Sequence, residues 1–295
     1  MGVVSGSSQV LMEEKIYKRI SILRFLFLRL LYTLLFIILL IVAAYGVYQL
    51  YFGTDLDIIS FAFDKGSFAI YFYVLSVDII LNIIRQLSLM LGHGNLRKLL
   101  TGKFYRPREE QRIFMFLDLQ SSTQLAEQLG HIEYSSLIQD CFNDLGVVVE
   151  DGAEIYQYVG DEAVLTWKLK DGLANESFIN AFFRFKDQIK SKEDYYQSKY
   201  GVVPFFKAGI HAGTVTVTEI GKFKKEIAYH GDPINTAARI QGKCNEFGED
   251  LLISQTLKEH VVDDTLILES VGFILLRGKK SEVAIYAVRK GASST

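Results

Sequence analysis

The chain has 295 residues, 49% hydrophobic and 13% aromatic, with 22% charged residues and a formal net charge of −2. That length points to about two domains, and the apolar content excludes a disordered chain. The balanced charge offers no basic field for nucleic acid, and two cysteines, Cys141 and Cys244, exclude a disulfide scaffold or a cysteine zinc cluster.

Leu30 to Tyr48 carries no charge, and as a helix it reaches about 28 Å, close to the hydrocarbon thickness of a bilayer. Arg24 and Arg29, just ahead of it, are placed to snorkel to the headgroups. A second run, Phe68 to Ile84, is interrupted by Asp78. Inside a membrane that acid requires a polar partner, from the same chain or a neighbour. The two runs predict transmembrane helices over about 24–50 and 68–91, a helical hairpin making up an N-terminal membrane region, 1–91. Lys15, Lys18 and Arg19 precede the first run, and Arg97, Lys98, Lys103, Arg106 and Arg108 follow the second, while the connector carries Asp55, Asp57 and Asp64 with Lys65. The positive-inside rule then gives a multi-pass protein of the inner or plasma membrane with both termini cytoplasmic. Both cysteines are expected as free thiols there.

Residues 92–112 read as a charged linker in which Pro107 stops or kinks any helix leaving the membrane. Ile113–Leu119 reads as a buried strand with Asp118 near its end. Ser121, Ser122 and Thr123 are placed to cap the helix that follows, and helical spacing resumes from Tyr134 to Val149. Ile155–Tyr158 and Ala163–Trp167 read as strands around a tight Gly160–Asp161 turn, followed by a mainly helical stretch from Gly172 to Tyr200. Phe205–Ala212 and Val215–Ile220 read as two strands separated by Gly213. A helix over Asp232–Phe247 and strands at Leu251–Ile253, Leu266–Leu276 and Val283–Val288 complete an α+β domain over 113–290, with a flexible tail at 291–295.

Two carboxylates stand out within this domain. Asp118 lies where a strand meets a helix start, and Asp161 lies at a strand–strand turn. Brought together by adjacent strands, they form an oxygen-ligand site for one or two Mg²⁺ ions; kept apart, they are a capping and a turn residue. The loop Gln120, Ser121, Ser122, Thr123 offers backbone N–H groups for phosphate oxygens. Asn235 and Arg239 are four apart and share a helix face, a neutral donor–acceptor beside a guanidinium fork suited to phosphate, or else an ordinary surface pair. Lys207 and Lys279 are further phosphate candidates, with an edge-strand lysine and a charged turn as the plainer alternatives. His211 has no companion ligands at metal spacing and reads as a structural histidine.

Taken in order, FMFLDLQSST, YQYVGDEAVL, FKAGIHAGTVTV, YHGDPINTAARIQ and LRGK resemble the catalytic domain of the class III nucleotidyl cyclases, over about residues 112–290. The resemblance implies a ferredoxin-like core and two Mg²⁺ or Mn²⁺ ions per active site. Asp118 and Asp161 match the metal-binding aspartates, with the carbonyl of Leu119 as a further ligand. Asn235 and Arg239 match the pair that orients the ribose and stabilises the transferring phosphate, and Lys279 matches the triphosphate lysine. Lys207 stands where many relatives have Arg, keeping the charge without the fork. The resemblance also implies a homodimer with shared active sites, Asp118, Asp161 and Lys207 from one protomer and Asn235, Arg239 and Lys279 from the other.

Two positions depart from the family's usual base-selecting residues. Adenylate cyclases usually carry Lys four residues before the second metal Asp and Asp or Thr seven before the Asn; guanylate cyclases typically use Glu and Cys. Here those positions hold Gln157 and Ala228, and a missing hydrogen-bonding partner weakens discrimination between bases. The expected activity is conversion of a nucleoside triphosphate, ATP favoured, to a 3′,5′-cyclic nucleotide and pyrophosphate. A cyclase acting on GTP or a pyrimidine triphosphate, and a catalytically silent nucleotide-binding signalling module, are the alternatives. The lipid bilayer and a regulatory membrane partner complete the expected interactions.

Overall fold

The computed structural model describes residues 22–53, 57–92, 95–275 and 282–291. It separates into two units, Met1–Met90 and Leu91–Thr295.

The first unit contains helices α1 (Ile22–Phe52), α2 (Ile58–Ala62) and α3 (Lys65–Leu91). Leu26–Phe52 has a mean hydropathy of 2.7 and Lys65–Leu91 of 1.9, long and apolar enough to cross a membrane, yet only 11% and 6% of these windows are buried. Apolar helices with outward-facing leucines and isoleucines are the reverse of a soluble core helix and suit a lipid environment. Asp78 finds its partners across the helix pair. The Arg29 Nη2 donates to Asp78 Oδ1 at 2.7 Å and the Thr33 hydroxyl to Oδ2 at 2.9 Å. One turn on, the Asn82 amide donates to the same carboxylate at 3.1 Å. Arg29 was expected to reach for headgroups; it turns to Asp78 instead. Charge-assisted bonds in a low dielectric favour an opposite charge within reach.

In the second unit, helix α4 (Asn95–Leu100) and the first residues of β1 (Arg108–Leu119) occupy the stretch 92–112, which was expected to be a linker. The strand starts ahead of the apolar run because its charged residues are paired in place: Lys103 with Glu110, and the fully buried Arg112 with Glu110 and Glu154. The chain continues through α5 (Ser122–Leu129), α6 (His131–Asp144), β2 (Glu154–Val159), β3 (Glu162–Lys168), α7 (Leu169–Leu173), α8 (Ser177–Ser191) and α9 (Glu193–Tyr200). It then forms β4 (Phe206–Ile220), β5 (Glu226–His230), α10 (Asp232–Gly242), α11 (Cys244–Phe247), β6 (Leu251–Ser254), α12 (Gln255–Lys258), β7 (Leu266–Leu275) and β8 (Glu282–Lys290). Among the described residues the strands form one sheet in the order β2-β3-β1-β4-β6-β8-β7, with β5 also paired to β4. Every pairing is antiparallel except β4 with β6.

One face of the sheet buries Met115, Leu117, Leu165 and Ile210 against Leu137, Cys141, Phe178, Phe182 and Phe185 of α6 and α8. On the other face, Phe114, Phe116, Val164, Val215 and Tyr229 pack with Phe104 and with Ala237 of α10. Such period-2 alternation in β1 divides one strand between two cores. The expected pair of strands around Gly213 is a single strand, β4. Both of its glycines serve helix packing rather than a turn: a Cβ at Gly213 would lie 2.5 Å from Pro233 Cγ, and one at Gly209 would lie 2.0 Å from the backbone nitrogen of Gln241. The helix expected over Asp232–Phe247 is interrupted at Lys243, so α10 and α11 are separate.

Candidate active site

Asp118 occupies the last turn of the pleat in β1, and its neighbours across the sheet are Glu162 of β3 and Lys207 of β4. Directly opposed residues project to the same face, so a carboxylate, a second carboxylate and a buried ammonium stem form one row. Asp161 joins them through the two-residue turn between Val159 and Glu162. Gly160 takes the left-handed position of that turn, φ +64°, as a tight hairpin requires. Asp118 and Asp161 are thus brought together.

The electrostatics follow from that proximity. Burial and the Asp161 charge push the Asp118 carboxyl up, opposed by hydrogen bonds from Gln241 and the Leu119 N–H. Burial, with the charges of Asp118 and Asp161, pushes Glu162 up to about 7. Like charges crowded in a half-buried corner disfavour their own ionisation, and a bound cation reverses that. The donor set is made of hard oxygens, which suits Mg²⁺ or Mn²⁺. Among the described residues no group of three or more His, Cys, Asp or Glu side chains forms a ready metal cage. Two carboxylates fit an ion whose remaining ligands are water and substrate phosphate, the usual habit of Mg²⁺.

Beyond Asp118 the chain turns through Gln120, whose N–H donates to the Phe205 carbonyl at 2.8 Å. Ser121 adopts a left-handed backbone, φ 57°, and gives no side-chain cap to α5, contrary to the capping role expected. Gln120, Ser121 and Thr123 are exposed and Ser122 half-buried, so the loop presents its polar atoms outward.

Helix α10 carries the second cluster. Its placement on β4, fixed by Gly209 and Gly213, brings the Gln241 amide to Asp118 Oδ2 at 3.1 Å. Asn235 is exposed and Arg239 half-buried. The Nη1 of Arg239 is buried without a hydrogen-bond partner among the described residues. An unsatisfied guanidinium N–H is costly and is suited to an anionic acceptor supplied from outside the chain. Neither residue makes a described hydrogen bond to the aspartates. Gln157 is exposed on β2, Ala228 is buried on β5, and Lys279 lies outside the described residues.

Sequence reading overlooked Glu162, Gln241 and Tyr134, whose hydroxyl is pushed up by burial and by the Asp161 charge. Glu162 was readable as the second acid of GDE; Gln241 became visible only once α10 was seated on β4. His211 is structural, as expected, with Nδ1 2.8 Å from the Ser254 hydroxyl.

The mixed sheet thus carries paired acids at the β1 end and the β2–β3 turn, and a guanidinium on the helix crossing β4. Residues 104–290 match the family described as the adenylate and guanylate cyclase catalytic domain, and the chain belongs to that family, the class III nucleotidyl cyclases. It is 33% identical over 207 residues to Adenylate cyclase 2 of Rhizobium meliloti, covering 70% of this chain and 57% of that protein. It is 25% identical over 186 residues to an adenylate cyclase of Anabaena cylindrica, of which it spans 36%; the chain therefore covers less than two thirds of these relatives. Among solved structures, a bacterial light-regulated adenylyl cyclase superposes with a TM-score of 0.63 at 16% identity, over 79% of this chain and 69% of that one. The guanylyl cyclase Cya2 superposes with a TM-score of 0.54 at 19% identity, over 65% and 96%. The fold is shared by proteins named for either purine.

Proposed function

We propose that the protein is a membrane-anchored nucleotidyl cyclase, ATP favoured, that forms a 3′,5′-cyclic nucleotide and pyrophosphate. The observation that carries this reading is the convergence of Asp118 and Asp161 in one half-buried corner. These two carboxylates, with the Leu119 carbonyl, would hold two Mg²⁺ or Mn²⁺ ions. Bound there, such ions lower the pKa of the attacking ribose hydroxyl and neutralise the triphosphate. The ribose 3′ oxygen bonds to the α-phosphorus while the bond to the β-phosphate oxygen breaks, and the proton leaves to solvent. Arg239, with its unsatisfied Nη1, meets charge growing on the α-phosphate. Asn235 orients the ribose, Lys207 and Lys279 bind phosphate, and the Gln120–Thr123 loop lines the triphosphate. Gln157 and Ala228 face the base. ATP is favoured because the curated relatives are named adenylate cyclases.

The catalytic unit works as a homodimer, each site drawing Asp118, Asp161 and Lys207 from one protomer and Asn235, Arg239 and Lys279 from the other. Support comes from Asn235 and Arg239, which make no hydrogen bond to Asp118 or Asp161 among the described residues, although Gln241 of the same helix reaches Asp118. The exposed Ile132, Tyr158 and Val159, at 84%, 46% and 50%, lie beside the Asp161 turn, an apolar surface of the kind that marks association. The sheet is read as ferredoxin-like. The two long helices are read as a transmembrane hairpin in the inner or plasma membrane, with domain and termini cytoplasmic. The bilayer, and a regulatory membrane partner, act through that hairpin.

Full-length protein supplied with each of the four nucleoside triphosphates and Mg²⁺ or Mn²⁺ tests the reading. ATP should yield cyclic AMP, and Asp118→Ala or Asp161→Ala should lower turnover on the order of a thousandfold or more. Undiminished turnover in both folded variants rejects the metal assignment. Binding of triphosphate without cyclisation of any of them identifies a silent signalling module.

A further inference from the structure

Arg112 has no exposed surface, a rare state for an arginine in the middle of a strand. Nε and Nη1 of its guanidinium are hydrogen-bonded, while the buried Nη2 has an ion-pair neighbour but no hydrogen-bond partner among the described residues. Nη1 lies 3.0 Å from Glu110 Oε2, Nη2 lies 3.1 Å from Glu154 Oε2, and Nε donates to the Thr166 hydroxyl at 3.0 Å. Lys98 Nζ, 2.7 Å from the same Glu154 oxygen, helps balance the charge. The guanidinium face stacks on Tyr229, 4.8 Å from the ring centroid. Tyr229 in turn meets the Tyr156 ring edge-on at 4.9 Å and the Phe114 ring at 5.5 Å.

The two tyrosines have particular neighbours. Tyr156 immediately precedes Gln157 and Tyr229 immediately follows Ala228. Strands β2 and β5 lie apart in the sheet order, so the Tyr156–Tyr229 contact joins two strands that have no shared ladder. Pairing of β2 with β3 shifts between Ile155↔Leu165 and Gln157↔Val164, leaving Tyr156 as the extra residue of a bulge. A bulge re-aims the side chains next to it. Here it lets the Tyr156 ring reach Tyr229 while Gln157 stays exposed.

We propose that Arg112 is a positioning residue for base selection, its stack on Tyr229 and the Tyr229–Tyr156 contact fixing where Gln157 stands relative to Ala228. This rests on the reading of Gln157 and Ala228 as the base-facing positions. A planar guanidinium is suited to the task because it can stack and bond in its plane at once, which an ammonium cannot do. Loosening the stack leaves the aspartate corner and Arg239 in place and changes the fit of the base, an effect borne by KM.

The test measures kcat/KM for ATP and for GTP on the full chain in membranes. The ratio of the two is independent of how much of a preparation is active, so a partly folded variant still reports. Arg112→Lys and Tyr229→Leu should shift the ratio by roughly three- to tenfold, mostly through KM. Tyr229→Phe, which keeps the ring, should retain the wild-type ratio. If either disruptive variant is too unstable to assay, Tyr156→Leu at the half-buried edge of the stack takes its place. A ratio within twofold of wild type in the disruptive variants overturns the proposal. Gln157→Ala separates the two levels: no shift there means the base-facing assignment itself is wrong, whereas a shift there without one in Tyr229→Leu defeats the positioning role alone.

Discussion

Asp118 and Asp161 reach the same corner by unrelated local routes, one at the end of an apolar strand and the other on a glycine-led turn. Both were visible in the sequence because an acid closing an apolar run, and an acid after glycine between two short strands, are conspicuous. Arg112 and Glu154 were not. Charged residues at strand starts look solvent-facing until a partner strand is known, and the partner of Arg112 is 42 positions away in Glu154. That pair also sets a pH dependence. Burial pushes the Glu154 carboxyl up, but Arg112 and Lys98 outweigh it and hold its pKa below the ordinary 4.5. A depressed carboxyl contributes stability above its unfolded value and loses it as pH falls through the folded one. Wild type should therefore exceed Glu154→Gln in stability at pH 7, by roughly 1–3 kcal/mol. The gap should close below about pH 4, and melting temperatures across pH 3–8 would show a parallel offset instead if the pair contributed nothing.

At the scale of elements, the long strand β4 decides more than its residue types suggest. Gly213 reads as the end of a strand because glycine between two apolar runs usually is one; the helix crossing over it is a tertiary fact that no local pattern carries. Strand β5 was missed for a related reason. GKFKK just before it is strongly charged, and EIAYH offers only a brief apolar core. By contrast β2, β3, the end of β1 and the start of α10 lay close to their expected positions because their periodicity and flanking polar residues agreed. Seating α10 depends on Gly209, where an added methyl would meet the Gln241 backbone at 2.0 Å. Gly209→Ala should cost about 3 kcal/mol or more and should also cut turnover, since it moves Gln241 away from Asp118. Gly201→Ala, at an open left-handed turn with nothing within 4 Å of the new methyl, should cost about 1 kcal/mol from backbone strain and leave turnover of the folded protein near wild type. Chemical denaturation paired with turnover distinguishes the two.

For the whole molecule, the shared-site reading makes a sharp demand. Asp118→Ala and Arg239→Ala proteins, each nearly inactive, should recover up to about a quarter of wild-type turnover when co-assembled at equal amounts. Random pairing makes half the dimers mixed, each with one intact site of two. Heterodimers demonstrated by differential tagging, yet without recovered cyclic nucleotide, would overturn the division of residues between protomers.

On the proposed membrane reading, the Arg29–Asp78 contact also bears on how the chain enters the bilayer. A lone ionised side chain within a span opposes entry into the membrane, by up to roughly 2.5–3.5 kcal/mol where it sits at the bilayer centre. Within the apolar stretches, Arg29 of α1 and Asp78 of α3 are 49 positions apart. Each helix leaving the translocation machinery by itself would bring an uncompensated charge, whereas the two leaving together bring a neutralised pair, with Thr33 and Asn82 filling the remaining acceptor sites of the carboxylate. The first helix should thus linger at the exit until the second has been made. Replacing Arg29 or Asp78 singly with leucine should strand the other charge and lower membrane yield, while replacing both should restore it, and glycosylation reporters placed in the connector would time the difference during synthesis.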